Sequence, residues 1–334
     1  IEAATRQMSE LTLTSRALYN NVLGEFMEKV CKTFGYDKVL PMNTGVEGGE
    51  TALKIARKWG YEVKHVNSAE NLFCKNNFWG RTLAAVSSST DKTCYKHFGP
   101  YMMGFDTVEY NCLKSLEEKF QENSDIVSFM LEPIQGEAGI IIPDDGYLKG
   151  VRELCDKYKV TLFEDCCEAH SAMIDGKVVG SFGDLGAYSF FVAHNMTSGE
   201  GGMVMTDDDH LCKILRSMRE FGRKRDYDPD KPRFYYTDEY LTDYDERYVF
   251  EIQGYNVRMT DIHASLGIEQ LKKLDDLNDK RINTASKYNE HLSKYGDFIQ
   301  IPRTPDGFFH SFYGYTLLIK ESAPFSRAQL VRFL

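Results

Sequence analysis

The chain has 334 residues, and its 40 Lys and Arg stand against 50 Asp and Glu for a formal net charge of −10. That balance lacks the basic footprint phosphate backbones require, which excludes a general nucleic-acid binder. No apolar run approaches the roughly 20 residues of a membrane span, 42% hydrophobic content fits an ordinary soluble protein, and the length can hold one large α/β domain plus a smaller one, or two domains. The start, Ile1 to Thr5, has neither an initiator Met nor a signal-peptide core. The end, Val331 to Leu334, stops within a helical pattern, so both ends read as cuts in a longer chain. The eight cysteines form no CxxC pair and no zinc spacing. Free thiols predict a reducing compartment, either cytoplasm or an organelle matrix.

In chain order, a Gly-rich turn at Asn43 to Thr51 precedes helical spacing at Thr51 to Trp59. A short apolar run begins at Leu72, and Ile126 to Leu131 reads as a buried strand. Gly150 to Tyr158 reads as a helix and Val160 to Phe163 as a strand, with further strands at Gly186 to Phe191 and Gly202 to Thr206. Asp226 to Tyr248, rich in Asp, Tyr, Pro and Arg, reads as a long surface excursion. From Thr260 one long helix is predicted past Leu274, capped by Thr260 or Asp261, with Ile262, Leu266, Leu271 and Leu274 on its apolar side. Continuous apolar strands alternating with amphipathic helices predict an α/β fold, a mostly parallel sheet with helices on both faces. Residues 1–275 are expected to form the large domain and 276–334 the start of a smaller C-terminal one.

Several residues carry chemistry on either of two readings. The turn Asn43 to Thr51 opens a helix, where free backbone N–H groups suit a phosphate or the glycines merely cap the helix. Phe78 and Trp79 are core aromatics or a platform for a planar heterocycle. Asp165 ends the strand VTLFED, where α/β sheets bind ligands; it would hold a pyridine nitrogen protonated or cap the next helix. His170 serves the same pocket or is a satisfied structural histidine. Ser189 ends a strand, where its hydroxyl reaches a phosphate, and Gly199 to Gly202 turns the chain back to the sheet.

The residues also carry a double resemblance. From about Leu11 to Cys155, runs such as KVLPMNTGVEGGETALKIARKWGY and EPIQGEAGIIIPDDGYLKGVRELC resemble ornithine aminotransferase. From about Leu162 to Leu334, FEDCCEAHSA, GKVVGSFGDLGAYSFF, TSGEGGMVMTDD and GYNVRMTDIHASLGIEQLKKLD resemble the DegT/DnrJ/EryC1/StrS sugar-nucleotide aminotransferase and dehydratase family. Both are fold-type-I pyridoxal-phosphate enzymes, and the change of allegiance falls near Val151 to Phe163. The resemblance implies that Gly45 and Val46 contact the cofactor phosphate, that Phe78 stacks on the pyridine ring, and that Arg81 receives an amino-acid carboxylate with Glu137 as gating partner. Glu132 belongs to the cofactor-side run EPIQGE. The back half implies Asp165 on the pyridine nitrogen, Glu168 near the ring hydroxyl where the family often has Gln, and Ser189 on the phosphate. It also implies that Asn256 reaches the neighbouring subunit's cofactor, hence a homodimer with shared sites.

His194 stands where the family's cofactor-bearing lysine is expected. An imidazole forms no stable imine but moves protons. Histidine here resembles the 3-dehydratases of nucleotide-linked 4-keto-6-deoxyhexoses, and so does the stretch from Gly222 to Phe250. With no cysteine between Phe221 and Leu334, the cluster-free type acting on GDP-4-keto-6-deoxymannose is the nearer match. The implied cofactor is pyridoxal or pyridoxamine 5′-phosphate, held without a covalent tether, and no metal. The implied small-molecule partners are a nucleotide sugar with glutamate from the back half, or ornithine with 2-oxoglutarate from the front half. Two other readings stay open: an ornithine aminotransferase, and a hybrid chain without activity.

Overall fold

A computed structural model describes residues 1–14, 18–224 and 248–334. The predicted excursion at 226–248 therefore lies outside the described residues, except Tyr248. Helices α1 (Glu2–Glu10) and α2 (Leu23–Phe34) lead into strand β1 (Lys38–Met42) and helix α3 (Gly45–Trp59). Strand β2 (Glu70–Cys74), α4 (Leu83–Ser88), α5 (Lys92–Tyr95), β3 (Phe105–Val108), α6 (Leu113–Glu122) and β4 (Ile126–Leu131) follow. The chain continues through α7 (Tyr147–Tyr158), β5 (Thr161–Asp165), a hairpin of β6 (Met173–Ile174) and β7 (Lys177–Val178), β8 (Leu185–Ser189), β9 (Gly202–Thr206) and α8 (Asp209–Arg219). Beyond it come α9 (Asp261–Leu271), α10 (Leu274–Leu292), the short strands β10 (Ile299–Gln300), β11 (Phe308–Phe309) and β12 (Leu318–Ile319), and α11 (Arg327–Phe333).

Seven strands form one sheet in the order β1-β9-β8-β5-β4-β2-β3. The pairs from β8 to β3 are parallel, whereas β9 runs antiparallel to both β1 and β8. Pro41 sits in β1, a position it tolerates because β1 is an edge strand and a missing N–H there breaks no second ladder. Strand alternation sorts side chains to two faces. Leu40, Met42, Phe73, Met130, Phe163, Ala187 and Val204 pack in one core with Leu53 and Ile55 of α3 and Ile214 and Leu215 of α8. On the other face Val39, Tyr188 and Met203 meet Phe26, Val30 and Phe34 of α2, while Phe129, Leu131 and Leu162 meet Leu116 of α6 and Val151 of α7. Each such aromatic or aliphatic side chain contributes about 1.5–3 kcal/mol by leaving water.

The predicted strands are all present, with shifts of one or two residues at some ends. Two helical expectations need correction. Helix α3 starts at Gly45, not after the glycines: Thr44 caps it by accepting the Glu47 N–H at 3.3 Å, and Glu47 reaches back to the Asn43 N–H at 2.8 Å. The glycines are thus the first turns of the helix. The single long helix from Thr260 is two helices. Its last turn tightens when the Lys273 N–H bonds the Gln270 carbonyl at 2.9 Å, and α10 starts afresh at Leu274. Thr260 is its N-cap, but the buried stripe is Ala264, Ser265, Gly267 and Ile268, with Ile262 and Leu266 only half-buried.

Candidate active site

Three parallel strands end on one cavity of about 400 Å³. Glu132 follows β4, Asp165 closes β5 and Ser189 closes β8, all at the carboxyl edge of the sheet, where α/β folds bind ligands. The start of α3 forms one wall. Gly45 lies so close to the back-half strands that a Cβ there would stand 2.9 Å from Cys167 Sγ and 3.0 Å from Ser189 Oγ. First-turn amides have no intrahelical acceptor, so Gly45 and Val46 present N–H groups beside the Ser189 hydroxyl. Gly80 turns at φ 138°, and a side chain on it would strike Val46. This fixes Phe78 and Arg81 on the rim, with the guanidinium 5.4 Å from the Phe78 ring centre. Trp79 is a core residue, stacked on Phe73 at 5.8 Å, that also borders the cavity.

The cavity is acidic. Glu132 accepts the N–H groups of Phe78 at 3.1 Å and Gly136 at 3.0 Å, yet burial and then the nearby Asp165 push its carboxyl up to about 8. Burial also raises Asp165, against the thiol and the N–H of Cys167, the latter 3.1 Å from Oδ1. Burial, then Glu137 and Asp165, push Glu168 up to about 8. The Glu168 carboxylate lies beside Gly136, where a Cβ would require it to move. Among the described residues no ion pair joins Asp165 or Glu168 to a Lys or Arg.

His194 lies in the loop between β8 and β9, on the cavity wall. Its Nδ1 is 3.0 Å from the Ser189 carbonyl oxygen. A carbonyl only accepts, so Nδ1 carries the proton and the neutral ring keeps a bare lone pair on Nε2. Burial lowers its pKa below the usual 6.5, with the Ser189 bond opposing. No lysine lines the cavity among the described residues.

The structure thus brings together Gly45, Val46, Phe78, Arg81, Glu132, Asp165, Glu168, Ser189 and His194. Glu137 is exposed and outside the lining; it acts on Glu168 and Tyr313 through charge, while Arg81 rests on Phe78. Asn256 is exposed, off this cavity, with its backbone bridged to Glu220. His170 is fully buried, and its Nδ1 accepts the Met196 N–H at 3.2 Å. Sequence reasoning missed Cys167 and the roof, Phe308 to Gly314, whose β11 pairs with β6. The one available signal was density: Phe308, Phe309, His310, Phe312, Tyr313 and Tyr315 fall within eight residues.

Residues 145–334 match the DegT/DnrJ/EryC1/StrS aminotransferase family, and residues 1–168 match the class-III aminotransferases. The mitochondrial ornithine aminotransferase of Drosophila melanogaster is 58% identical over 167 residues, which is 49% of this chain and 38% of that enzyme. The rat enzyme is 59% identical over the same length and shares. The chain thus spans well under half the length of these two relatives. Toxoplasma gondii ornithine aminotransferase, described with partial occupancy of pyridoxal phosphate, superposes with a TM-score of 0.69 at 31% identity, covering 90% of this chain and 65% of that one. The GDP-4-keto-6-deoxy-D-mannose-3-dehydratase of E. coli, with bound hydrated pyridoxal phosphate, gives a TM-score of 0.73 at 20% identity, covering 99% and 78%, a likeness of fold. The architecture is that of fold-type-I pyridoxal-phosphate enzymes. Among the described residues no helix is long and apolar enough to cross a membrane.

Proposed function

From the premise that this chain belongs to the DegT/DnrJ/EryC1/StrS aminotransferase family through residues 145–334 and to the class-III aminotransferases through residues 1–168, we propose a 3-dehydratase-like enzyme. Its substrate class is a nucleotide-linked 4-keto-6-deoxyhexose, with glutamate as amine donor. His194 is its acid–base residue, and its pyridoxal or pyridoxamine phosphate is not covalently tethered. The carrying observation is the His194 ring, with Nδ1–H on the Ser189 carbonyl, on a cavity wall that carries no lysine among the described residues.

The residues present fit that cofactor. The amides opening α3 and the Ser189 hydroxyl suit a phosphate, and the space a Cβ on Gly45 would fill is part of that cradle. Phe78 offers a ring face. Asp165, buried and without a cationic partner among the described residues, suits a protonated ring nitrogen. Bound, the cofactor supplies an electron sink for breaking bonds next to an amine-linked carbon. Asp165 keeps that ring nitrogen charged. His194 Nε2 accepts a proton and returns it to a leaving hydroxyl, and the burial that lowers its pKa keeps the resting ring neutral and ready to accept. Phe308, Phe309, His310, Ser311, Tyr313 and Gly314 complete the cavity lining.

The proposed working form is a homodimer, in which Asn256, exposed in the single chain, would serve the neighbour's site. The large domain spans 1–275 and the smaller one starts at 276. A second reading, amino-acid transamination on ornithine, is favoured by Arg81 on the cavity rim. Borohydride reduction of the protein loaded with pyridoxal phosphate, then dialysis, separates the two. The dehydratase reading expects no label on the protein, with dehydration of GDP-4-keto-6-deoxymannose in the presence of glutamate. Covalent label on a lysine of the unaltered chain overturns it.

A further inference from the structure

Helix α10 buries one stripe, Leu274, Asn278 and Ala285. The middle position of such a stripe ordinarily takes an apolar residue, and burying an amide there costs roughly 1–3 kcal/mol unless its hydrogen bonds are replaced. Asn278 is 3% exposed and its bonds are replaced in a specific way. Its Oδ1 accepts from Asn195 Nδ2 at 2.8 Å, and its Nδ2 donates to the His170 carbonyl at 3.3 Å. The His170 ring in turn accepts the Met196 N–H at 3.2 Å and meets the His194 ring edge-on at 6.2 Å. Asn195 and Met196 are the two residues that follow His194. A closed circuit of buried hydrogen bonds therefore runs from Asn195 through Asn278 and His170 back to Met196.

The same helix holds the roof. Arg281, one turn on, donates to the carbonyls of Tyr313 at 2.9 Å and Phe312 at 3.4 Å. Asn195 Nδ2 also reaches the Ser311 carbonyl at 3.3 Å, and the Tyr313 ring stands edge-on to His194 at 5.5 Å. We propose that Asn278 is the positioning residue for His194. It clamps the loop that carries the imidazole and ties that loop to the roof of the cavity. Resting on the acid–base reading of His194, this assigns α10 the task of fixing one tautomer and one ring orientation. Small misplacement of an acid–base group costs about 10²-fold in rate.

The test is long-range imidazole ¹⁵N spectroscopy on the full chain labelled at histidine, with and without Asn278→Leu. In the parent, His194 is expected as a single Nδ1–H tautomer. The rings beside it are His170, Phe191 and Tyr313, and Arg281 acts on His170 beyond. In Asn278→Leu the loop is freed, so both tautomers exchange, the His194 titration moves up toward the ordinary value, and kcat falls about 10²-fold with KM little changed. Should that variant fail to fold, Asn278→Asp keeps the acceptor for Asn195 and adds a charge to the circuit; it must raise the His194 titration. Unmoved His194 signals and titration in either folded variant overturn the proposal. Full turnover in His194→Asn would instead sink the acid–base reading, while the spectra would still report whether Asn278 sets the ring.

Discussion

The front and back halves of the chain meet across one sheet and give the cavity different things. The front half supplies the α3 amides, the Phe78 face, Arg81 and Glu132, which are means of holding a ligand. The back half supplies Asp165, Ser189 and His194, and His194 is the residue of this set suited to proton transfer. The two are fitted rather than merely adjacent. Edge strand β1 pairs with β9, β4 pairs with β5, and a side chain on Gly202 would collide with the Thr44 carbonyl. On the proposed reading, binding draws on both halves, whereas acid–base chemistry draws on one.

The largest test of that division is His194→Asn. It is expected to lower turnover by about 10²–10⁴-fold while the cofactor still binds, as judged by absorbance titration. An equal loss of cofactor binding would erase the division. Next comes Gly45→Ala, at the contact between the halves. The new methyl meets Ser189 and Cys167, so a stability loss of about 1–3 kcal/mol is expected on thermal or urea unfolding, together with weaker cofactor binding. If Gly45→Ala changes neither, the halves do not meet at a shared phosphate cradle.

Strand positions were legible because buried runs such as Ile126 to Leu131 and Gly202 to Thr206 carry their own signal. Site residues at strand ends, Asp165 and Ser189, followed from those positions. The start of α3 was misread because glycine is a poor helix former, and the Thr44–Glu47 cap outweighed that propensity. Asn278 was illegible. One polar residue on a helical stripe has no meaning until its partners, 83 and 108 residues away, are in place. The roof was missed for the same reason, since β11 pairs with a strand more than 130 residues earlier.

A smaller effect sharpens the comparison at a place where carboxyls of the two halves oppose each other. Glu137 comes from the front and Glu168 from the back, and Glu137 is the main charge raising Glu168 after burial. A carboxyl at about 8 in the folded chain keeps its proton in a range where the unfolded chain has lost it. The folded state then binds more protons between the ordinary carboxylate value and about pH 8, so stability falls as pH rises through that window. Glu132 contributes the same sign. Cofactor-free protein is therefore expected to melt at a lower temperature at pH 8 than at pH 5. Glu168→Gln has no proton to lose and should flatten that dependence, by roughly 6 °C between pH 5 and pH 8. Glu137→Gln should flatten it less, because burial of Glu168 remains. An unchanged slope in Glu168→Gln would mean that burial does not hold the Glu168 proton, and an unchanged slope in Glu137→Gln alone would mean that the two carboxylates do not act on each other across the halves.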